Sequence, residues 1–141
     1  MLLNKLIKMN YSREQIETFY KDFLHSFNLG ASNIVEHFDE NTVIEYPYAE
    51  TPVRMNRMEY FNQLAHIMPK MGKFEFRDLM IYATDVSDTY WATVHGECLI
   101  PFTGKLFAQN YVVRFSISKE LKFISYDEYW NPLNMAKAFS S

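Results

Sequence analysis

The stretch Phe123-Ile-Ser-Tyr-Asp-Glu-Tyr-Trp-Asn-Pro132 closes a 141-residue chain's run of strand-like segments. It is rich in the aromatic and β-branched residues that suit a pleated surface, and a proline stops it. Read as the end of a strand over residues 121–130, it has a period of two. That period puts Ile124, Tyr126, Glu128 and Trp130 on one face and Asp127 on the other, toward solvent. A carboxylate flanked by two aromatics on an apolar face is partly desolvated. Desolvation raises its pKa and fits it for proton transfer near neutral pH. Glu128 is therefore the leading candidate for an acid–base group.

Working back toward the N-terminus, strand patterning continues. A fourth strand over 105–118 precedes the tight turn Ser118-Lys-Glu120, and a third over 90–100 precedes Pro101-Phe-Thr-Gly104. A second strand over 74–83 loses its alternation between Phe76 and Leu79, which predicts a bulge. Before Gly72 the period becomes helical. Asn56 with Glu59 has capping-box spacing and opens a helix carrying Phe61, Leu64, Ala65 and Met68. Residues 46–52, with Pro47 and Pro52, form no regular element. A first strand over 42–46, a turn at 39–41 and a short helix over 33–38 precede them. Ser12 with Gln15 starts a long helix whose stripe is Ile16, Phe19, Tyr20, Phe23, Leu24 and Phe27, stopped by Leu29-Gly30. Residues 133–139 form a terminal helical turn. Helices segregated from a hairpin-linked meander predict an α+β fold. The expected form is a curved antiparallel sheet of four to six strands with the helix of residues 12–29 in its concave side.

Composition narrows the function. Hydrophobic residues make up 48% of the chain and aromatics 17%, enough for a packed core with a part-polar cavity. Net charge is −3 with scattered basic residues, which argues against nucleic acid as a partner. The single cysteine, Cys98, rules out an internal disulfide, reads as a small core residue and fits a cytoplasmic setting. The histidines have no metal-ligand spacing, so no metal is expected. Residues 1–10 lack the apolar run of a signal peptide and read as a lead-in to one domain over 11–141. No segment has the length of a membrane span.

With Trp91-Ala-Thr-Val-His-Gly96 and Asn110-Tyr111, the C-terminal run resembles the SnoaL-like family of the nuclear transport factor 2-like superfamily. It looks most like the phenazine-biosynthesis A/B proteins. A weaker likeness to limonene epoxide hydrolase covers Thr103-Gly-Lys105 and Glu128-Tyr-Trp-Asn131. The resemblance implies a helix-packed curved sheet with a conical pocket for a small apolar or aromatic molecule, and no cofactor. It implies a cofactor-independent isomerase, cyclase or lyase acting on a small cyclic or ketonic substrate. The alternative is a non-catalytic ligand-binding or dimeric interaction domain. Glu128 matches the acid–base carboxylate of these families. Gln63 stands where the phenazine proteins carry a functional histidine, and His66, three residues on, is its potential substitute.

His95 is the second catalytic candidate, as a proton relay to Glu128. It shares a face with Trp91, Thr93 and Glu97. One alignment with the family turns that face inward and another turns Val94 and Gly96 inward; the period alone favours the Tyr90/Val94 face as core. Tyr46 and Tyr48, flanking Pro47, are placed to hydrogen-bond a substrate oxygen. Gln63, His66, Trp91, Tyr111, Tyr126 and Trp130 complete the expected binding set. Long strands leave one sheet face uncovered, which predicts a homodimer through the outward face of the third and fourth strands.

Overall fold

A computed structural model describes residues 10–140. The expected lead-in over 1–10 lies outside the described residues except for Asn10. Ser12 and Gln15 form the predicted capping box, opening α1 (Arg13–Ser26). α2 is Ala31–Val35, two residues earlier than expected, because Gly30 takes a φ of 140° that frees the chain to restart a helix at once. β1 (Phe38–Tyr46) begins within the segment read as helix and turn. The Asp39 side chain does form a local turn, accepting from Asn41 N at 3.0 Å, but within the strand, where pairing slips between Phe38 and Val43. β2 (Val53–Met55), not anticipated, pairs with the end of β1. Asn56 and Glu59 cap α3 (Arg57–Ile67), which a short 3₁₀ turn at Met68–Lys70 continues. Its buried residues are Tyr60 and Leu64; Ala65, expected on the inner side, is exposed. β3 (Glu75–Ala83), β4 (Thr89–Ile100), β5 (Lys105–Ile117) and β6 (Phe123–Tyr129) follow, then α4 (Pro132–Phe139).

The strands form one curved sheet in the order β2-β1-β6-β5-β4-β3. Four pairings are antiparallel, but β1 runs parallel to β6, so the sheet is mixed rather than wholly antiparallel. These two strands are far apart in sequence, so no hairpin constrains their direction. The predicted bulge in β3 is present: pairing with β4 shifts between Arg77 and Met80, and Asp78 takes a φ of 60°.

Helix α1 packs its stripe on β5 and β6. Phe23 lies 4.9 Å from Phe123 and 5.8 Å from Tyr126, and Tyr20 lies 5.2 Å from Phe115, as ring centroids. A second apolar cluster of Phe74, Cys98, Ile100, Phe107 and Ala138 joins α4 to the sheet. The buried Gln109 fastens α4 through Nε2 to Asn131 O at 2.8 Å, and accepts from Asn134 Nδ2 at 3.0 Å. No helix among the described residues is long and apolar enough to cross a membrane.

Candidate active site

Between α1, α3, α4 and the sheet lies a cavity of about 260 Å³. β6 supplies its carboxylate. The β5–β6 pairing steps from Ser116↔Ser125 to Ile117↔Phe123, which leaves Ile124 as an extra residue. The bulge turns both Phe123 and Tyr126 inward and leaves Ile124 45% exposed, off the face expected for it. Beyond the bulge the period of two holds, and Tyr126, Glu128 and Trp130 all line the cavity. Glu128 keeps a part of its surface open to the cavity, with protein packed around the rest of it. Burial pushes its carboxyl up to about 7, against a hydrogen bond from Tyr126 that favours the anion. That bond runs from Tyr126 Oη to Glu128 Oε1 at 2.8 Å.

Phenols surround the carboxylate. Tyr20 from α1, Tyr46 from β1, Tyr60 from α3, Tyr111 from β5 and Tyr126 all line the cavity. Each phenol is pushed far above its ordinary range, by burial first, and the negative charge of Glu128 pushes the same way. Among the described residues no Lys or Arg lines the cavity. An ionised Glu128 therefore has no counter-charge there, which is why desolvation dominates its titration.

The other expected site residues divide. Gln63 and His66 on α3 line the cavity toward its rim, and the Tyr46 hydroxyl donates to Gln63 Oε1 at 3.4 Å. Tyr48 is outside the lining. It is half-exposed beside it, with ring centroids 6.2 Å from Tyr46 and 5.9 Å from Trp130. Trp130 Nε1 is buried without an acceptor at hydrogen-bond geometry; burial and then the Glu128 charge raise the nearby Tyr48 phenol, and Trp130 offsets part of that.

His95 and Trp91 do not reach the cavity. In β4 Tyr90, Ala92, Val94, Gly96, Cys98 and Ile100 are buried on one face, so Trp91, Thr93, His95 and Glu97 face outward. There His95 meets Glu97 Oε1 at 2.8 Å and Asn110 Oδ1 at 2.7 Å, and Trp91 packs 6.0 Å from Tyr129. The sheet lies between His95 and Glu128, so a direct proton relay between them is corrected. The inward alternative, Val94 and Gly96, is the one realised. A Cβ on Gly96 would stand 2.7 Å from the Phe76 ring and 3.1 Å from that of Tyr111, so the glycine makes room for two cavity aromatics.

Sequence reasoning missed Tyr20 and Tyr60 as cavity residues. In the sequence Tyr20 falls within the core stripe of α1, which carries no sign of a cavity. Tyr60 and Leu64 do carry the i, i+4 spacing of a buried helix face, but Phe61 with Leu64 offered a competing stripe.

No family model matches the chain. The chain is 25% identical over 134 residues to the uncharacterized protein YesE of Bacillus subtilis strain 168, across 93% of this chain and 90% of YesE. Among solved structures it superposes with a TM-score of 0.76 on a Bacillus subtilis protein given provisionally as an isomerase. That pair is 24% identical and covers 88% and 91% of the two chains. The BvnE pinacolase of Penicillium brevicompactum also gives 0.76, at 14% identity over 93% and 92%. A phenazine biosynthesis-related protein of Pseudomonas aeruginosa gives 0.65, at 13% identity over 98% and 91%. The α+β architecture is thus the fold these structures share, the nuclear transport factor 2-like fold.

Proposed function

We propose that the chain is a cofactor-independent acid–base enzyme, an isomerase, cyclase or lyase, acting on a small cyclic or ketonic apolar molecule held in the cavity. One observation carries this reading: among the described residues Glu128 is the sole carboxylate lining a largely aromatic and apolar cavity, with Gln63 and His66 at its rim, and its pKa of about 7 lets it both take and return a proton at neutral pH. The isomerase and pinacolase descriptions of the superposed structures support the same class of chemistry. At about 260 Å³ the cavity lies just under the roughly 300–1,000 Å³ of ordinary ligand pockets, which suits a small molecule.

We further propose that two copies pair through the outer sheet face. Tyr82 lies directly across from Trp91, Thr93 across from Val112, and Val112 across from Tyr129, which makes a continuous part-apolar strip over four strands.

The deciding experiment follows α-proton exchange of a panel of cyclic ketones in D₂O by NMR. Exchange by the wild type that Glu128→Gln abolishes, with ligand binding intact, supports the enzyme. Ketones that bind without exchange above background identify a ligand-binding domain instead.

A further inference from the structure

On the outer side of Phe27, Met68 and Met71 lies a groove of about 710 Å³, and these three side chains line both it and the cavity. The end of α1 and the start of α2 form one bank, with Leu29, Gly30 and Ala31. Ala65 on α3 and residues 68–73 form the other. The backbone around this partition is pinned. The Asn28 side chain clamps the Phe74 backbone, donating from Nδ2 to Phe74 O at 2.9 Å and accepting from Phe74 N at 2.7 Å. Gly72 N donates to Leu99 O at 2.8 Å, an approach so close that a Cβ on Gly72 would stand 2.6 Å from that oxygen. The Phe27 ring is packed edge-on among those of Phe23, Phe74 and Phe76, at centroid distances of 5.3, 5.7 and 5.9 Å. Met68 and Met71 are then the adaptable part of the wall, since both are half-buried, unbranched thioethers.

The two spaces differ in charge. Among the described residues the cavity lining holds Glu128 and no Lys or Arg, whereas Lys73 is the one charged side chain lining the groove. Lys73 is exposed, and among the described residues it makes no ion pair. A negative group inside the cavity would sit beside Glu128 with nothing to offset it. The same group in the groove meets an ammonium. Between the two ends the path is apolar: Leu29 is 58% exposed in the groove, and Ala65, Met68 and Met71 lead inward. At about 260 Å³ the cavity is small, so a longer ligand needs the groove for its remainder.

We propose that the groove is a tail subsite, and that the ligand is an amphiphilic acid. Its ring lies in the cavity, and its linear saturated chain passes between Met68 and Met71 to set a carboxylate against Lys73. This deepens the acid–base reading by naming the other half of the substrate, and it rests on that reading only for the ring's place beside Glu128. Charge fixes the direction, because the reverse orientation would bury the acid next to Glu128. An unbranched chain suits the passage: flexible thioethers yield to it, whereas a second ring would displace Phe27 from the three rings around it. Lys73 is then a specificity residue that reads the length and charge of the tail.

Calorimetric titration of the full chain at pH 8 tests this with four probes: cyclohexanecarboxylate, 6-cyclohexylhexanoate, the amide of that long acid, and cyclohexanone. The wild type is expected to bind the long acid about tenfold or more tightly than the short one, because the added methylenes are buried and the charge leaves the cavity. Lys73→Glu should weaken the long acid roughly fivefold and leave the long amide and cyclohexanone unchanged. Ala65→Trp fills the groove from a position outside the cavity lining. It should weaken both long ligands and leave cyclohexanone unchanged, with melting temperatures showing that both variants are folded. Equal affinity for the short and long acids, no loss with Lys73→Glu, or no loss with Ala65→Trp overturns the proposal. Ketone exchange that needs Glu128, together with binding that ignores the tail, keeps the acid–base reading and removes the subsite. Tail-dependent binding without any exchange keeps the subsite and removes that reading.

Discussion

Tyr126 Oη donates to Glu128 Oε1 across 2.8 Å, from two positions earlier on the same face of β6. The bond holds the carboxylate's orientation and favours its anion, while burial favours the neutral acid. Burial wins, and the balance falls at about 7.

That balance makes stability pH-dependent. The folded pKa is raised from the ordinary 4.5, so the folded state binds the proton more tightly than the unfolded chain does. The stability this confers is complete below about pH 4.5 and is lost as pH rises to about 7. The advantage of Glu128→Gln over the wild type should therefore grow across that window by about 3 kcal/mol and level off above it. Urea unfolding at half-unit pH steps checks this. A flat difference would place Glu128 in a water-like setting.

Tyr126→Phe removes the one hydrogen bond that, among the described residues, stabilises the Glu128 anion. The Glu128 titration should move further upward, and at pH 8 the protein should lose about 1 kcal/mol. Carboxyl ¹³C NMR titration of both proteins reads the direction without any substrate.

Gly96→Ala puts a methyl against the Phe76 and Tyr111 rings. Overpacking of this kind costs about 1–3 kcal/mol, and pushing Tyr111 inward should shrink the cavity. Chemical denaturation gives the first quantity. Pairing the change with Phe76→Leu should restore part of it, since the tightest contact is to that ring.

Val112→Arg places a charge in the middle of the strip formed with Thr93 and Tyr129. Sedimentation should find the wild type a dimer and the variant a monomer at micromolar concentration, with cavity ligands still bound. A monomeric wild type would remove the proposed pairing.

Much of the cavity was legible in the chain because strand alternation is a local property. Tyr126, Glu128 and Trp130 are fixed to one face by the pleat alone, and the two capping boxes announce α1 and α3 through contacts three residues apart. The side of β4 that faces inward was also present as a pattern, in the more apolar Tyr90/Val94 face. Alternation sorts residues into two sets, however, and it does not say which set meets the cavity. For His95 and Trp91 that depends on what packs against the sheet. Ile124 shows the other limit. One extra residue in β6 inverts the alternation upstream of Ser125, and nothing in Phe123-Ile-Ser-Tyr126 marks the slip, because the bulge is a mismatch with β5.

The α+β order, the helix starts, the bulged β3 and a carboxylate between aromatics on the last strand are all written locally in the chain. Each follows from periodicity or from capping within a few residues. Only packing set β1 parallel to β6, turned His95 away from Glu128, and brought Tyr20 and Tyr60 to join Tyr111 around that carboxylate. Those tyrosines sit on α1, α3 and β5, far apart in the chain. They meet because three separate apolar faces are buried against one another, and only the packed fold brings their hydroxyls to the same cavity.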